Sequence, residues 1–143
     1  MGKKKIVNKG SSEENVKSGS RSNKASRRKM DSGILYVQST FNNTKILLTD
    51  TKGNAVAASS SGALGFRGAK KGTPFAAAKA AEILADKAEQ MGLKTIKVIV
   101  KGVGAGRESS IRSFISKGVD ISSIEDQTPV PFNGPKAPKP RRI

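Results

Sequence analysis

A run of alternating glycines is the part of this sequence best suited to bind an anion. Gly102, Gly104 and Gly106 leave backbone N–H groups unshielded by side chains, and a stretch with helical spacing follows them. The start of a helix offers free N–H donors and a partial positive charge, which together favour phosphate. The next residues add side-chain donors, at Arg107, Ser109, Ser110 and Arg112. The pattern predicts a phosphate-binding turn.

This glycine turn is open to four interpretations. A dinucleotide-binding turn has an acidic residue about 20 residues further on, where Glu125 stands here, but it requires Gly-x-Gly-x-x-Gly after an opening strand. The sequence has Gly-x-Gly-x-Gly after a late strand. A nucleotide-hydrolysing loop ends in Gly-Lys-Ser/Thr, which this turn lacks. The remaining two are a tight strand-to-helix turn with glycines for packing, and contact with an RNA backbone, which we expect.

The residue types give little support to catalysis. The sequence has no His and no Cys, which removes the commonest general base and any thiolate zinc site. A ribonuclease-H-like nuclease needs several carboxylates converging on divalent metals. No acidic residue lies in 34–41, and Glu82, Asp86 and Glu89 are expected on the outer face of a helix. We therefore expect no enzyme, and no metal, cofactor or small-molecule substrate.

The net charge indicates the class of partner. Lys and Arg total 27 against 11 Asp and Glu, for a formal net charge of +16. Solubility alone requires a net charge of only about 2–8 in a small domain, so the excess favours a polyanion such as nucleic acid. The apolar stretches are far shorter than the roughly 20 residues of a membrane span. No hydrophobic segment follows Lys3, Lys4 and Lys5, so we expect no secretory signal and a cytoplasmic location.

Both ends of the chain are basic and have little capacity to fold alone. Residues 1–32 are mostly Lys, Arg, Ser, Asn and Gly, and residues 127–143 are rich in Pro. These compositions predict a disordered N-terminal arm and an extended C-terminal tail. Outside 34–126 there are 14 basic and 3 acidic residues, so most of the excess charge lies on the two arms. We expect both arms to become ordered on RNA.

Residues 33–126 are expected to form one α/β domain. Two β-prone stretches, 34–41 and 44–50, flank Asn42-Asn43, which predicts a hairpin because Asn tolerates left-handed backbone. A further turn leads to a third strand at 55–60, completing an antiparallel meander. The loop at 61–72 then combines four glycines with three cations, Arg67, Lys70 and Lys71. Such a loop can bring its backbone close to another molecule.

The second half of this domain alternates helices and strands. Thr73-Pro74 is a helix start, and a stripe of small apolar residues predicts a helix that ends at Gly92. A strand at 95–101, a helix from Arg107 and a last strand at 119–124 follow. This order implies parallel pairing through right-handed crossovers. The expected fold is a mixed five-stranded sheet covered by helices, the second of which has an apolar face of Ile111, Phe114 and Ile115.

Aromatic residues are too few for a base-stacking platform. There are five Phe, one Tyr and no Trp, whereas proteins that bind single strands usually display several rings on a sheet. Only Tyr36 could serve, and we expect it in the core. The RNA is therefore expected to be folded and recognised by its shape.

Several short motifs occur in a fixed order and together carry a family resemblance. They are Phe41-Asn42-Asn43-Thr44, Thr49-Asp50 with Gly53-Asn54, Gly65-Phe66-Arg67-Gly68, Thr73-Pro74-Phe75-Ala76-Ala77, Lys101-Gly102-x-Gly104-x-Gly106-Arg107-Glu108-Ser109, and Thr128-Pro129-x-Pro131-x-Asn133-Gly134. This arrangement, over residues 33–143, resembles protein eleven of the small ribosomal subunit in its bacterial form.

The resemblance implies a structural role without enzymatic activity. The family binds the platform of the small subunit and bridges several helices of its rRNA. It lies beside ribosomal proteins seven and eighteen, and it lines the cleft that holds the Shine–Dalgarno helix and the exiting mRNA. The implied fold is a three-layer α/β domain of ribonuclease-H-like topology with extended basic arms.

Matching the motifs one by one gives a set of candidate contacts. The hairpin turn, the basic glycine loop, the glycine turn and the terminal basic pair all have counterparts in the family. The residues that we expect to bind rRNA are Asn42, Asn43, Arg67, Lys70, Lys71, Gly102, Gly104, Gly106, Arg107, Ser109, Arg112, Asn133, Lys136, Lys139, Arg141 and Arg142.

The C-terminal tail departs from the family pattern. The family reads Pro-His-Asn-Gly-Cys-Arg-Pro-Pro-Lys, and residues 131–139 here read Pro-Phe-Asn-Gly-Pro-Lys-Ala-Pro-Lys. Contacts made through that His or by a bidentate Arg do not carry over, because Phe132 and Lys136 cannot reproduce them. Asn133-Gly134 is retained, and the missing side chain of Gly134 favours isoaspartate formation at Asn133. The N-terminal arm is also longer and carries none of the motifs.

Two functions of other classes remain as alternatives. One is a nucleotide-dependent enzyme that uses the glycine turn, and the other is an RNA chaperone outside the ribosome. Nucleotide binding with little dependence on salt would favour the enzyme, whereas steeply salt-dependent binding to structured rRNA would favour the ribosomal function.

Overall fold

The computed structural model describes residues 29–139. Most of the predicted N-terminal arm and the expected contacts Arg141 and Arg142 lie outside the described residues. Residues 127–139 contain no helix or strand, as the prolines predict.

The described chain contains five strands and two α-helices, close to the predicted order. In sequence they are β1 (Ser32–Ser39), β2 (Thr44–Thr49), β3 (Ala55–Ser60), α1 (Pro74–Gln90), β4 (Thr95–Lys101), α2 (Gly106–Ile115) and β5 (Asp120–Asp126). The first strand ends two residues earlier than expected and the last one extends two residues further. The loop after β3 also contains a short 3-10 helix, Gly68–Gly72, which the glycine content did not predict.

The sheet is mixed, with the strand order β3-β2-β1-β4-β5. The meander β1-β2-β3 pairs antiparallel, and β1, β4 and β5 pair parallel. The predicted α/β fold with a mixed five-stranded sheet is therefore confirmed.

One face of the sheet carries the hydrophobic core. Leu35 and Val37 on β1 are buried, and they share one cluster with Leu84 of α1 and Phe114 of α2. The crossovers β3-α1-β4 and β4-α2-β5 move in the same direction across the sheet between parallel strands, so their common right-handedness places both helices on one side. Within residues 29–139 the domain thus has two layers, and the implied third layer is not formed there.

The first helix begins and ends as its sequence predicts. The Thr73 hydroxyl caps it by accepting the Ala76 N–H at 3.3 Å, and Pro74 occupies the first turn. Gly92, at φ +75°, follows the end of the helix. The buried stripe is almost all alanine, which allows α1 to lie close to both the sheet and α2.

The second helix and β1 contain two corrections. Phe114 is fully buried, but Ile115 is 38% exposed and is not part of the core as expected. The helix contributes only ten residues, Gly106–Ile115, and Ile115 is its last position. Tyr36, expected in the core, is half-buried on the opposite sheet face, because it alternates with the buried Leu35 and Val37.

No helix within residues 29–139 has the length and apolar character needed to cross a membrane.

Candidate nucleic-acid interface

Three of the predicted contact segments meet at one edge of the sheet. The Asn42-Asn43 turn follows β1, the basic glycine loop follows β3, and the glycine turn follows β4. These three strands run in the same direction, so their carboxyl ends lie together. In open α/β sheets this edge is where ligands usually bind. We call these three loops together the carboxyl edge.

Asn43 holds the hairpin turn against the glycine loop. Its backbone N–H donates to the Thr40 hydroxyl at 3.2 Å, and its side-chain Oδ1 accepts the Gly62 N–H at 3.2 Å. The Asn43 carboxamide oxygen is therefore engaged within the protein. Asn42 is exposed at the tip of the turn.

The basic glycine loop carries cations that no carboxylate within residues 29–139 neutralises. Arg67 and Lys70 are exposed and Lys71 is half-buried. None of the three has an ion pair within 4.0 Å in the described part of the chain. The loop is anchored at Gly72, where an added Cβ would lie 2.3 Å from the Phe41 carbonyl oxygen. The result is a positively charged loop fixed beside the hairpin turn.

The glycine turn packs against the end of β1 and uses its own donors to do so. The Gly104 N–H donates to the Ser39 carbonyl at 2.9 Å, and the Gly102 N–H donates to the Thr128 hydroxyl at 3.1 Å. A Cβ on Gly104 would lie 2.3 Å from the Thr40 carbonyl oxygen, closer than any carbon can approach. These glycines are thus required for packing. Two of the N–H donors expected to be free for phosphate are occupied.

Arg107 is held by the strand that follows α2. Its Nη2 lies 2.5 Å from Asp126 Oδ2, and its Nη1 donates to the Gly102 carbonyl. The Asp126 carboxylate accepts hydrogen bonds from both the Thr128 backbone N–H, at 2.9 Å, and the Thr128 hydroxyl, at 2.6 Å. The Thr128 hydrogen bonds and the neighbouring Arg107 guanidinium lower the pKa of Asp126 from 3.8 to about 2. Arg107 therefore ties the glycine turn to the start of the C-terminal tail.

The serines at the start of α2 also bond within the helix. The hydroxyls of Ser109 and Ser110 donate to the Gly106 carbonyl at 3.4 and 2.7 Å. Ser110 is fully buried. Arg112, one turn further along the same helix, is exposed.

The predicted contacts of the C-terminal tail lie at its surface. Asn133 has φ +53°, and Gly134 packs on Pro131, where an added Cβ would be 2.6 Å from the Pro131 Cβ. Lys136 and Lys139 are exposed. The tail is attached to the domain through Thr128, which bonds both Gly102 and Asp126.

Sequence reasoning missed the residues that organise this edge. Ser39, Asp126 and Thr128 accept the bonds that fix the glycine turn, but they are distant from it in sequence. Only the β1–β4 and β4–β5 pairings bring them together, and those registers were not predicted. The Thr128-Pro129 motif was noted for its family resemblance and not as an anchor.

The fold and this edge together define the class of basic nucleic-acid-binding domains. The mixed α/β sheet presents cations on fixed loops, and residues 29–139 contain no cluster of acidic residues able to hold a metal ion. Within that class the chain belongs to the family described as Ribosomal protein S11, whose model matches residues 33–142.

Membership of this family establishes the general function. The chain is a structural component of the small ribosomal subunit that binds rRNA and contributes to translation, with rRNA and other ribosomal proteins as its partners. The family is structural and not enzymatic.

Proposed function

We propose that this protein binds and bridges rRNA helices on the platform of the small subunit, in the cytoplasmic ribosome. There it would lie beside ribosomal proteins seven and eighteen and help to form the cleft for the Shine–Dalgarno helix and the exiting mRNA. The motifs shared with the family support this location. In this proposal residues 33–126 form the rRNA-binding domain, and residues 1–32 and 127–143 form basic arms that extend from it.

The carboxyl edge is the proposed rRNA contact of the folded domain, and the unpaired cations of its basic loop carry the proposal. Arg67, Lys70 and Lys71 lie on a loop fixed at Gly72, and no described carboxylate lies within 4.0 Å of them. A cation without an internal partner contributes its full charge to phosphate binding, and a fixed loop loses little entropy when it binds.

The other proposed contacts act around this loop. The surface around the glycine turn would fit the shape of the RNA backbone, together with Asn42, Asn43 and Arg112. Arg107 would contact the RNA backbone through the part of its side chain that Asp126 does not cover, since that side chain is 32% exposed. The tail would add further contacts through Asn133, Lys136, Lys139, Arg141 and Arg142.

The test replaces the three loop cations together, in the full-length protein. Arg67→Gln, Lys70→Gln and Lys71→Gln form one triple variant. Lys52→Gln, Lys87→Gln and Lys94→Gln form the matched control, because these lysines are also exposed but lie at the opposite end of the sheet. Both triples remove the same charge. Binding to an in vitro transcript of the small-subunit rRNA is measured over a range of salt concentrations.

We expect the loop triple to weaken binding and to reduce the slope of log K against log salt by about 2–3, because three phosphate contacts are lost. The control should leave the slope near that of the wild type. Equal slopes for the two triples would show that the basic loop is not a phosphate contact. Salt-independent binding by the wild type would exclude a phosphate-based interface altogether.

A further inference from the structure

Neither helix covers the opposite face of the sheet within residues 29–139, where Tyr36 and Leu47 are half-buried, Ala58 is exposed and Ile99 is 6% exposed. Strand register places four side chains in one apolar row across it, because Tyr36 pairs with Leu47 and Ile99, and Leu47 pairs with Ala58. These residues line an open cavity of about 510 Å³. A concave, mostly apolar site of this volume is the usual form of a binding pocket.

The next row of the same face is polar and positively charged. Gln38 pairs with Lys45 on one side and with Lys101 on the other, and Lys45 pairs with Ser60. Both lysines are exposed, and neither has an ion pair within 4.0 Å in the described chain. The one carboxylate of the neighbouring row, Glu125, is already paired with Lys97 at 2.7 Å. The face therefore has an apolar floor and two unneutralised cations at its rim.

We propose that this face is a docking site for another protein, whose contacting segment carries large apolar side chains flanked by Asp or Glu. The apolar side chains would fill the cavity over Tyr36, Leu47 and Ile99, and the carboxylates would meet Lys45 and Lys101. An apolar centre with a charged rim is the usual anatomy of a protein–protein interface. The proposal goes beyond the rRNA contacts and concerns a different surface from the basic loop.

Charge and composition favour a separate protein over three other occupants of this face, namely the chain's own N-terminal segment, a second copy of the chain and RNA. Residues 1–28 contain nine Lys or Arg and two Glu, so the chain's own N-terminal segment would place like charges against Lys45 and Lys101. A second copy of the same face would oppose the same lysines to each other. RNA phosphates would suit the lysines, but folded RNA presents charged phosphates and polar groove edges, which the apolar floor would desolvate without offering hydrogen bonds.

The test places a photo-crosslinking residue, p-benzoylphenylalanine, at position 36 of the full-length protein expressed in cells. Irradiation is followed by isolation of the product and sequencing of the cross-linked peptide. The same experiment is repeated with Lys45→Glu and Lys101→Glu. A matched control carries Lys52→Glu and Lys94→Glu, which reverse two exposed charges at the far end of the sheet. Thermal melting of each variant verifies that it is folded.

We expect one protein product whose cross-linked peptide joins apolar residues to Asp or Glu. Lys45→Glu with Lys101→Glu should lower the yield of this cross-linked product on the order of tenfold, since two attractive charge pairs become repulsive. The control variant should leave the yield unchanged. When the carboxylates of the partner are changed to Lys, the variant with Lys45→Glu and Lys101→Glu should regain the cross-linking yield. The proposal is overturned by a cross-link to RNA, to residues 1–28 or to a second copy, by the absence of a product, or by a yield that the rim charges do not affect.

Discussion

The substitution Gly104→Ala tests whether the glycine turn is built for packing. The Cβ that it adds would lie 2.3 Å from both the Ser39 hydroxyl and the Thr40 carbonyl oxygen. The carbonyl belongs to the backbone, so rotation of a side chain cannot relieve the contact. Gly104 has no positive φ, so the substitution adds no backbone strain, and its cost arises from the steric contact and what that contact displaces.

The expected loss of stability follows from two contributions. Overpacking a rigid site costs about 1–3 kcal/mol. Displacing the turn weakens the hydrogen bond from the Gly104 N–H to the Ser39 carbonyl, 2.9 Å long, which contributes about 1 kcal/mol. The sum of about 2–4 kcal/mol corresponds to a fall in Tm of at least about 8 °C for a domain of this size.

The assay is urea unfolding followed by circular dichroism, with Gly53→Ala as the control. Gly53 has φ +91° and nothing within 4 Å of an added Cβ, so that variant has only backbone strain, about 1 kcal/mol. If Gly104→Ala is no more destabilised than Gly53→Ala, the packing argument is wrong. If it is as stable as the wild type but loses rRNA binding, the turn binds phosphate directly.

Two further predictions concern the C-terminal segment. The pKa of Asp126 is lowered from 3.8 to about 2, so its carboxylate contributes stability that is present above pH 3.8 and is lost as the pH falls toward 2. Asp126→Asn should therefore be less stable than the wild type at neutral pH. Urea unfolding at a series of pH values should show this difference in stability narrowing between pH 3.8 and 2, whereas a constant difference would refute the assignment. Asn133, exposed and followed by Gly134, is predicted to form isoaspartate, which peptide mass and fragmentation data on protein purified from ribosomes would detect, and an unmodified Asn133 there would remove the prediction.

Local signals predicted the elements of this fold well. The Thr73-Pro74 start of α1 and the limits of β4 depend on residues adjacent in sequence, and both agree with the structure. The mixed sheet followed from the order of the elements and the handedness of crossovers. The expected core position of Tyr36 was wrong because this residue lies on the sheet face that neither crossover helix covers.

The chemistry of the glycine turn was only partly accessible from sequence. Its spacing suggested free N–H donors, but Ser39 and Thr128 accept two of them through contacts that depend on strand register. Arg107 was likewise expected to be available, and its pairing with Asp126 requires the β4–β5 alignment. Periodicity in a single sequence does not encode such long-range registers.

The parallel pairing of β1, β4 and β5 also determines how the protein can act as a bivalent ligand. The chain enters the domain at the amino end of β1 and leaves it at the carboxyl end of β5, so the two basic arms start at opposite ends of the sheet. A strand of seven residues spans about 20 Å, which is about the distance between the points where the two proposed arms leave the sheet. In the proposed function each arm would raise the effective concentration of the other at the rRNA, so removal of either arm should cost avidity.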